Sequence, residues 1–198
     1  MEERVALPGF LRGRRYRGYE GAPDFLMTYE TETPAVLASE PYHAALNDPT
    51  PWTREALGWF RTPARAIYGL VAETGSEHWR ATPYLFTARF NVLEAVEDDF
   101  VNGIGPRLAG DPVDGKAVTR GRLWRVDEPI SGMMTSERRI YGGGPGDQKY
   151  LMTIEIVAPF ESLDADRLPT ADAFAEAGCT DLFVDRFSID FALDPPPG

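Results

Sequence analysis

Many side chains in this 198-residue chain could move protons or balance an anion, and their spacing narrows them to a few. One of its two histidines, His43, sits in SEPYHAALNDPTPW (39–52) beside Tyr42. An imidazole titrates near neutral pH, so His43 is a candidate general base. The competing reading is a capping or exposed histidine on a surface helix. Two prolines flank Thr50 and stiffen the chain that carries Trp52, and Trp59 follows seven residues later. The pair reads either as a helix corner with core tryptophans or as an aromatic wall for a flat ligand. Glu30 and Glu155 end two similar stretches, FLMTYE (25–30) and YLMTIE (150–155). Enclosed carboxylates have raised pKa values and can act as acid or base. The alternative is pairing with arginines on a neighbouring strand.

Those arginines come in two similar hexamers, RGRRYR (12–17) and RGRLWR (120–125). Each precedes its own [Phe/Tyr]-Leu-Met-Thr-x-Glu stretch. Agreement between two ordered segments points to a tandem repeat. Each FLMTYE-type stretch alternates as a strand, with the hexamer as its hairpin partner. In the first half the turn falls at Glu20–Pro23. In the second it is replaced by an insert, 128–148, containing the loop signal YGGGPGD. Helical material is expected over 39–60, broken at NDPTPW, and over 166–177, ending at Gly178. Strands are expected over 64–72 and 181–193.

The second half also has an opening unit. PYLFTARFNV (83–92) alternates as a strand, and Leu93, Val96, Phe100 and Ile104 then fall on one helical face. It therefore reads β-α-β-β-α-β, the ferredoxin-like order. The first half lacks the opening β-α. Its MEERVALPGF reads as the tail of a helix running into the second strand, which favours a start upstream of Met1. The division is a truncated repeat over 1–75, a linker over 76–82 with His78 and Trp79, and a full repeat over 83–198. In this order the first and last strands are neighbours, so Arg89, Arg186, Asp190 and Glu155 are expected in one internal cluster. That cluster is either an ion-pair network or a ligand site.

Composition excludes several functions. A net charge of −11 argues against nucleic-acid binding and against an anionic membrane surface. The apolar runs are too short to cross a bilayer, and no signal peptide is legible. One cysteine, Cys179, cannot close an internal disulfide, which favours the cytoplasm. Two well-separated histidines build no His-rich metal site, and no metal is expected. Nucleotide-binding glycine motifs and a nucleophile elbow are absent.

Two ferredoxin-like repeats, with LPGFLRGRRYR leading into APDFLMTYE, resemble the dimeric α/β-barrel superfamily. The nearest branch is a tandem bacterial group related to EthD-like proteins and antibiotic-biosynthesis monooxygenases. The resemblance implies an α+β fold whose sheets face each other and close a barrel around a cavity. It also implies cofactor-free oxygenation, isomerisation, decarboxylation or haem chemistry. Many relatives carry a histidine just before the Pro-Gly-Phe stretch. NGIGP (102–106) has none, so no mechanism through that histidine is expected. Some haem-binding relatives place an axial histidine on the helix corresponding to that of His43.

The first expectation is an enzyme without a cofactor, of isomerase, lyase or monooxygenase type, acting on a hydrophobic, aromatic or polyketide-like molecule. His43, Glu30 and Arg89 would be catalytic; Tyr42, Trp52, Trp59, Arg186, Asp190 and Glu155 would bind substrate. The alternatives are a non-catalytic small-molecule binder and a haem protein using His43. The missing opening strand leaves a sheet edge exposed, which favours a homodimer.

Overall fold

The computed structural model describes residues 2–19, 21–75, 82–109, 117–163 and 168–195. Seven strands form one antiparallel sheet: β1 (Phe10–Gly18), β2 (Phe25–Thr31), β3 (Tyr68–Gly75), β4 (Tyr84–Val92), β5 (Val118–Val126), β6 (Tyr150–Ile156) and β7 (Cys179–Leu193). Their order is β2-β1-β7-β4-β6-β5-β3. The central four, β7-β4-β6-β5, are the ferredoxin-like sheet of the second half, with its first and last strands adjacent. Both hexamers pair as expected. β1 aligns Arg17 with Phe25 and Arg12 with Glu30, and β5 aligns Arg125 with Tyr150 and Arg120 with Glu155.

The first half contributes β1 and β2 at one flank and β3 at the other. β1 pairs with β7, and β3 pairs with β5. Among the described residues, β2 and β3 are the two edges of the sheet. The sheet nonetheless curls. Glu30 on β2 reaches Arg122 on β5, although four strands separate β2 from β5 in the order.

Strand alternation sends one set of side chains to the convex face and the other to the concave face. On the convex face, Phe86, Ala88 and Phe90 of β4 meet Tyr150, Met152, Ile154 and Ile156 of β6. Helices cover them. α4 (Glu97–Asp99) and α5 (Gly105–Leu108) are joined by one π-helical turn, Phe100–Ile104, and α8 is Ala171–Glu176. Phe100 and Phe174 pack against Phe90 at ring distances of 5.6 and 5.3 Å. Leu93, expected on that helical face, is exposed, because it precedes the helix at the end of β4.

Helix ends follow side-chain chemistry. Thr170 caps α8 by accepting from the Ala173 amide at 3.2 Å, and the helix ends before Gly178 at φ +78°. The expected helix over 39–60 is two helices, α2 (Glu40–Asn47) and α3 (Pro51–Leu57). Thr50 starts α3 by capping Thr53, with Pro51 at its first position. The tail expected before β1 is α1, Glu2–Val5.

The insert is more structured than its glycines suggest. α6 (Glu128–Gly132) and α7 (Ser136–Tyr141) precede the glycine run, and Gly142 stops α7 at φ +73°. The insert docks on the first half: the Ser131 hydroxyl donates to the Ile67 carbonyl and accepts from the Ile67 amide, and the Arg65 amide donates to the Gly144 carbonyl. Residues 76–81 of the expected linker, with His78 and Trp79, lie outside the described residues. Its last residue, Thr82, is buried and bonded to Glu155.

Candidate functional site

The concave face is built outward from one ionic cluster. Arg14 and Arg122 are the third residues of their hexamers, and Glu30 and Glu155 end their strand motifs. In each strand, alternation turns these residues inward while their neighbours turn out. The curl then brings all four together. Glu155 accepts from Arg14 at 3.1 Å, from Arg122 at 2.7 Å and from the Thr82 hydroxyl at 3.1 Å. Arg122 also meets Glu30 at 3.1 Å, and Arg14 meets it at 3.8 Å. Arg14, Arg122 and Glu155 are buried; Glu30 keeps some access to water.

Of the two alternatives for these carboxylates, pairing with hexamer arginines is the one the structure shows. Burial pushes the Glu30 pKa up, but Arg122, backed by Arg14 and Arg12, outweighs it and holds the group below the ordinary carboxylate value. Glu30 is therefore a fixed anion near neutral pH rather than a proton donor. The cluster fills the centre of the barrel where the resemblance implied a cavity. One end is filled as well: Tyr16, Leu85 and Phe187 pack there, with Leu26 and Ile189 against them.

The other end is open. Arg89, Leu151 and Trp124 lie side by side across β4, β6 and β5, with Leu70 next on β3. Facing pairs share a side of the sheet, so all four are concave-face residues. Phe183 of β7 faces Arg89 from the opposite neighbour. Leu70 and Phe183 are exposed, and Trp124 and Leu151 are half-buried. The Trp124 ring is fixed by its N–H bond to the Thr153 hydroxyl at 2.9 Å and by the Arg122 guanidinium 4.8 Å above it. Arg89 pairs with Asp185 at 3.3 Å and lies 5.5 Å over the Phe183 ring. Tyr68, two residues before Leu70, completes the wall. Burial raises its pKa, and the Arg89 charge opposes that rise. The result is an apolar, aromatic bowl with the Arg89–Asp185 ion pair at its side. Such a bowl can seat a flat molecule and balance a negative oxygen on it.

The expected site residues separate. Arg89 is in the bowl, and Glu30 and Glu155 are in the cluster behind it. The expected cluster of Arg89, Arg186, Asp190 and Glu155 does not form. The β4–β7 register sets Arg186 opposite Phe86 on the convex face, where it lies over the Phe160 ring at 5.4 Å. Asp190 pairs with Arg15 at 3.0 Å and Arg17 at 3.1 Å, also on the convex side.

His43 is not on the concave face either. Its helix α2 packs Tyr42 and Leu46 against Phe10, with Tyr29 alongside, and Tyr29 points away from Glu30. His43 therefore meets neither Glu30 nor Arg89, which overturns a shared catalytic site. Tyr42 is a core residue: its ring is 5.6 Å from Phe10, and its hydroxyl accepts from Arg65 at 3.3 Å. These two close-packed side chains fill the space beside His43 toward the sheet, so the residues present do not fit a haem sunk against this helix. Trp52 and Trp59 are 64% and 56% exposed and touch each other edge to face at 5.4 Å. They form a surface pair on the outer helices rather than a cavity wall.

Sequence reasoning missed Tyr68, Trp124, Phe183 and Asp185. The alternation of 181–193 was visible, but only the register shows that its Phe183–Asp185–Phe187 face meets the polar face of β4. Two clefts lie elsewhere on the described surface, one by Asp99, Asn102 and Arg107 and one by Val5 and Leu193.

No family model matches this chain, and no curated protein matches it. Solved structures do. An anthrone oxidase-like protein superposes with a TM-score of 0.61 at 8% identity, over 99% of this chain and 83% of its own. A protein from Lactobacillus acidophilus described as a monooxygenase gives 0.57 at 10% identity, over 98% of this chain and 84% of its own. A similarly described protein from Fusobacterium nucleatum gives 0.56 at 8% identity, covering 94% and 78%. The α+β, dimeric-α/β-barrel-type fold is thereby shown. Among the described residues, no helix is long and apolar enough to cross a membrane.

Proposed function

We propose that this chain is an enzyme of the monooxygenase type that oxidises a flat, hydrophobic, aromatic or polyketide-like molecule without a cofactor. The proposal includes a duplicated ancestry in the tandem group related to EthD-like proteins. The observation that carries it is the aromatic bowl beside the single Arg89–Asp185 pair. The names of the fold neighbours support the reaction class.

In the proposed reaction an anthrone-like substrate lies against Trp124, Tyr68 and Phe183. Asp185 takes a proton from the activated methylene carbon. Arg89 balances the enolate oxygen that forms. The electron-rich carbon then reduces dioxygen. Both oxygen atoms are accounted for: one becomes the new ketone oxygen, and the other leaves as water with the two methylene hydrogens. The buried Arg14–Glu155–Arg122–Glu30 cluster holds the strands that carry the bowl and takes no proton.

The test is oxygen uptake with 1,8-dihydroxyanthrone. Asp185→Asn is expected to slow turnover by about 10²-fold or more, and Arg89→Met to slow it as well. His43→Ala should leave it unchanged. Turnover lost in His43→Ala and kept in Asp185→Asn would overturn the reading. Quenching of Trp124 fluorescence by the anthrone without oxygen uptake would instead identify a non-catalytic binder.

A further inference from the structure

Exposed apolar side chains gather on one outer face of the helices. Trp52 of α3 is 64% exposed, and Trp59, in the turn after α3, is 56% exposed. Phe60, Met133, Met134 and Ile140 are exposed as well. α3 packs on α7, and two ring contacts tie the face together. Trp52 meets Trp59 at 5.4 Å, and Phe60 meets Tyr141 at 6.4 Å. Met133 and Met134 lead from α6 into α7, where the Ser136 amide donates to the Asn47 side chain at the end of α2. Single exposed apolar residues are ordinary, whereas a contiguous patch marks a surface that meets something apolar.

The face is also cationic. The chain holds 31 acidic residues against 20 basic ones. Even so, Arg61 and Arg139 make no ion pair among the described residues, and Arg61 donates to the carbonyls of Gly58 and Phe60. Arg138 is bonded to the carbonyls of Ser131, Met133 and Gly143. Arg54 meets Asp48 at 3.6 Å, an exposed pair of little strength. Of the acids on α3 and α7, Glu137 is turned inward against Arg4, and Glu55 is the other.

We infer that this face is a docking surface for a phospholipid bilayer. Tryptophan settles at the headgroup boundary, with its ring toward the acyl chains and its N–H among polar groups. Methionine, phenylalanine and isoleucine beside it enter the acyl boundary, and arginines reach the lipid phosphates. The net charge of −11 repels an anionic membrane only at long range. At physiological salt the screening length is about 8 Å, so a bilayer touching this face senses its arginines and not the acids on the far side. The inference goes beyond the proposed reaction and stands without it. It also suits that reaction. The insert carrying α7 is rooted at the bowl: β5 ends two residues after Trp124, and β6 begins one residue before Leu151. Docking through the insert would bring the chain to the phase into which a flat, hydrophobic molecule partitions.

The test is co-sedimentation of the full chain with vesicles of phosphatidylcholine, alone and mixed with phosphatidylglycerol, at about 0.15 M salt. Binding to both is expected, tighter to the mixed vesicles, with a blue shift of tryptophan emission and quenching by lipids brominated on their acyl chains. Trp52→Ser/Trp59→Ser should lower the partition coefficient at least about tenfold. Arg61→Gln/Arg139→Gln should remove the preference for mixed vesicles and keep binding to phosphatidylcholine. If far-UV circular dichroism shows that the tryptophan variant is misfolded, Met134→Glu repeats the test at another exposed side chain. A chain that binds neither vesicle overturns the inference. So does binding that ignores both the tryptophan and the Met134 substitutions. Self-association of the lipid-free chain that the tryptophan substitutions abolish would assign the face to a second copy and overturn it equally.

Discussion

Glu155 accepts three hydrogen bonds at the centre of the barrel, two of them from buried arginines. Removing one partner of a buried ion pair leaves the others charged and unsolvated, which costs more than the pair itself contributes. Glu155→Gln should therefore destabilise the fold by about 3–5 kcal/mol, read as a fall in the urea midpoint. A change within about 0.5 kcal/mol would mean that water reaches the cluster. Glu30 adds a pH dependence of known sign. Its pKa is lower in the folded chain than in the unfolded one, so the unfolded state binds the proton first. Its stabilising share is full above the ordinary carboxylate value and is lost as pH falls through the folded value. Urea midpoints taken downward from about pH 6 should fall less steeply in Glu30→Gln than in the parent chain. Equal slopes would show that Glu30 does not titrate with folding.

At the scale of elements, identical motif letters should carry different weights. Met152→Ala opens a cavity under α8 and the π-helical segment, and should cost about 2–5 kcal/mol. Met27→Ala, at an exposed position, should stay within about 0.5 kcal/mol. Equal costs would mean that the face of β2 is covered in the monomer. The sequence could not show this contrast. The hexamer–strand hairpins, the ferredoxin-like order of the second half and the pairing of Glu30 and Glu155 with hexamer arginines were legible, because alternation and repetition are local signals. Burial of Met152 against exposure of Met27 depends on which helix crosses above, and that is a property of the chain elsewhere. The same limit hid the bowl. Phe183 and Asp185 enter it through the β4–β7 register, and Arg186 and Asp190 leave it for the same reason. The sequence leaves His43 open between a general base and a surface-helix histidine, because one helix looks alike whether its sheet presents the concave or the convex face.

For the whole molecule, the strand order decides what can fold alone. The second half owns a contiguous four-stranded sheet, β7-β4-β6-β5, with its hydrophobic core and helices on one face. The first half owns no contiguous sheet. Its β2-β1 hairpin and its β3 lie on opposite flanks, each hydrogen-bonded to the other half. A lone hairpin is marginal in water, and β3 without β5 has no partner at all. Residues 1–75 expressed alone should therefore show an unfolded circular dichroism spectrum, while residues 82–198 should fold cooperatively. The second fragment keeps Arg122 beside Glu155 but loses Arg14, so it should melt below the full chain. Mixing the two fragments should restore strand signal from the first and raise the melting temperature of the second, since Arg14 and Glu30 return to their partners only through that docking. A folded 1–75 fragment would refute this order of dependence, and it would require β3 to pair with β2 across the edges that the full chain leaves apart.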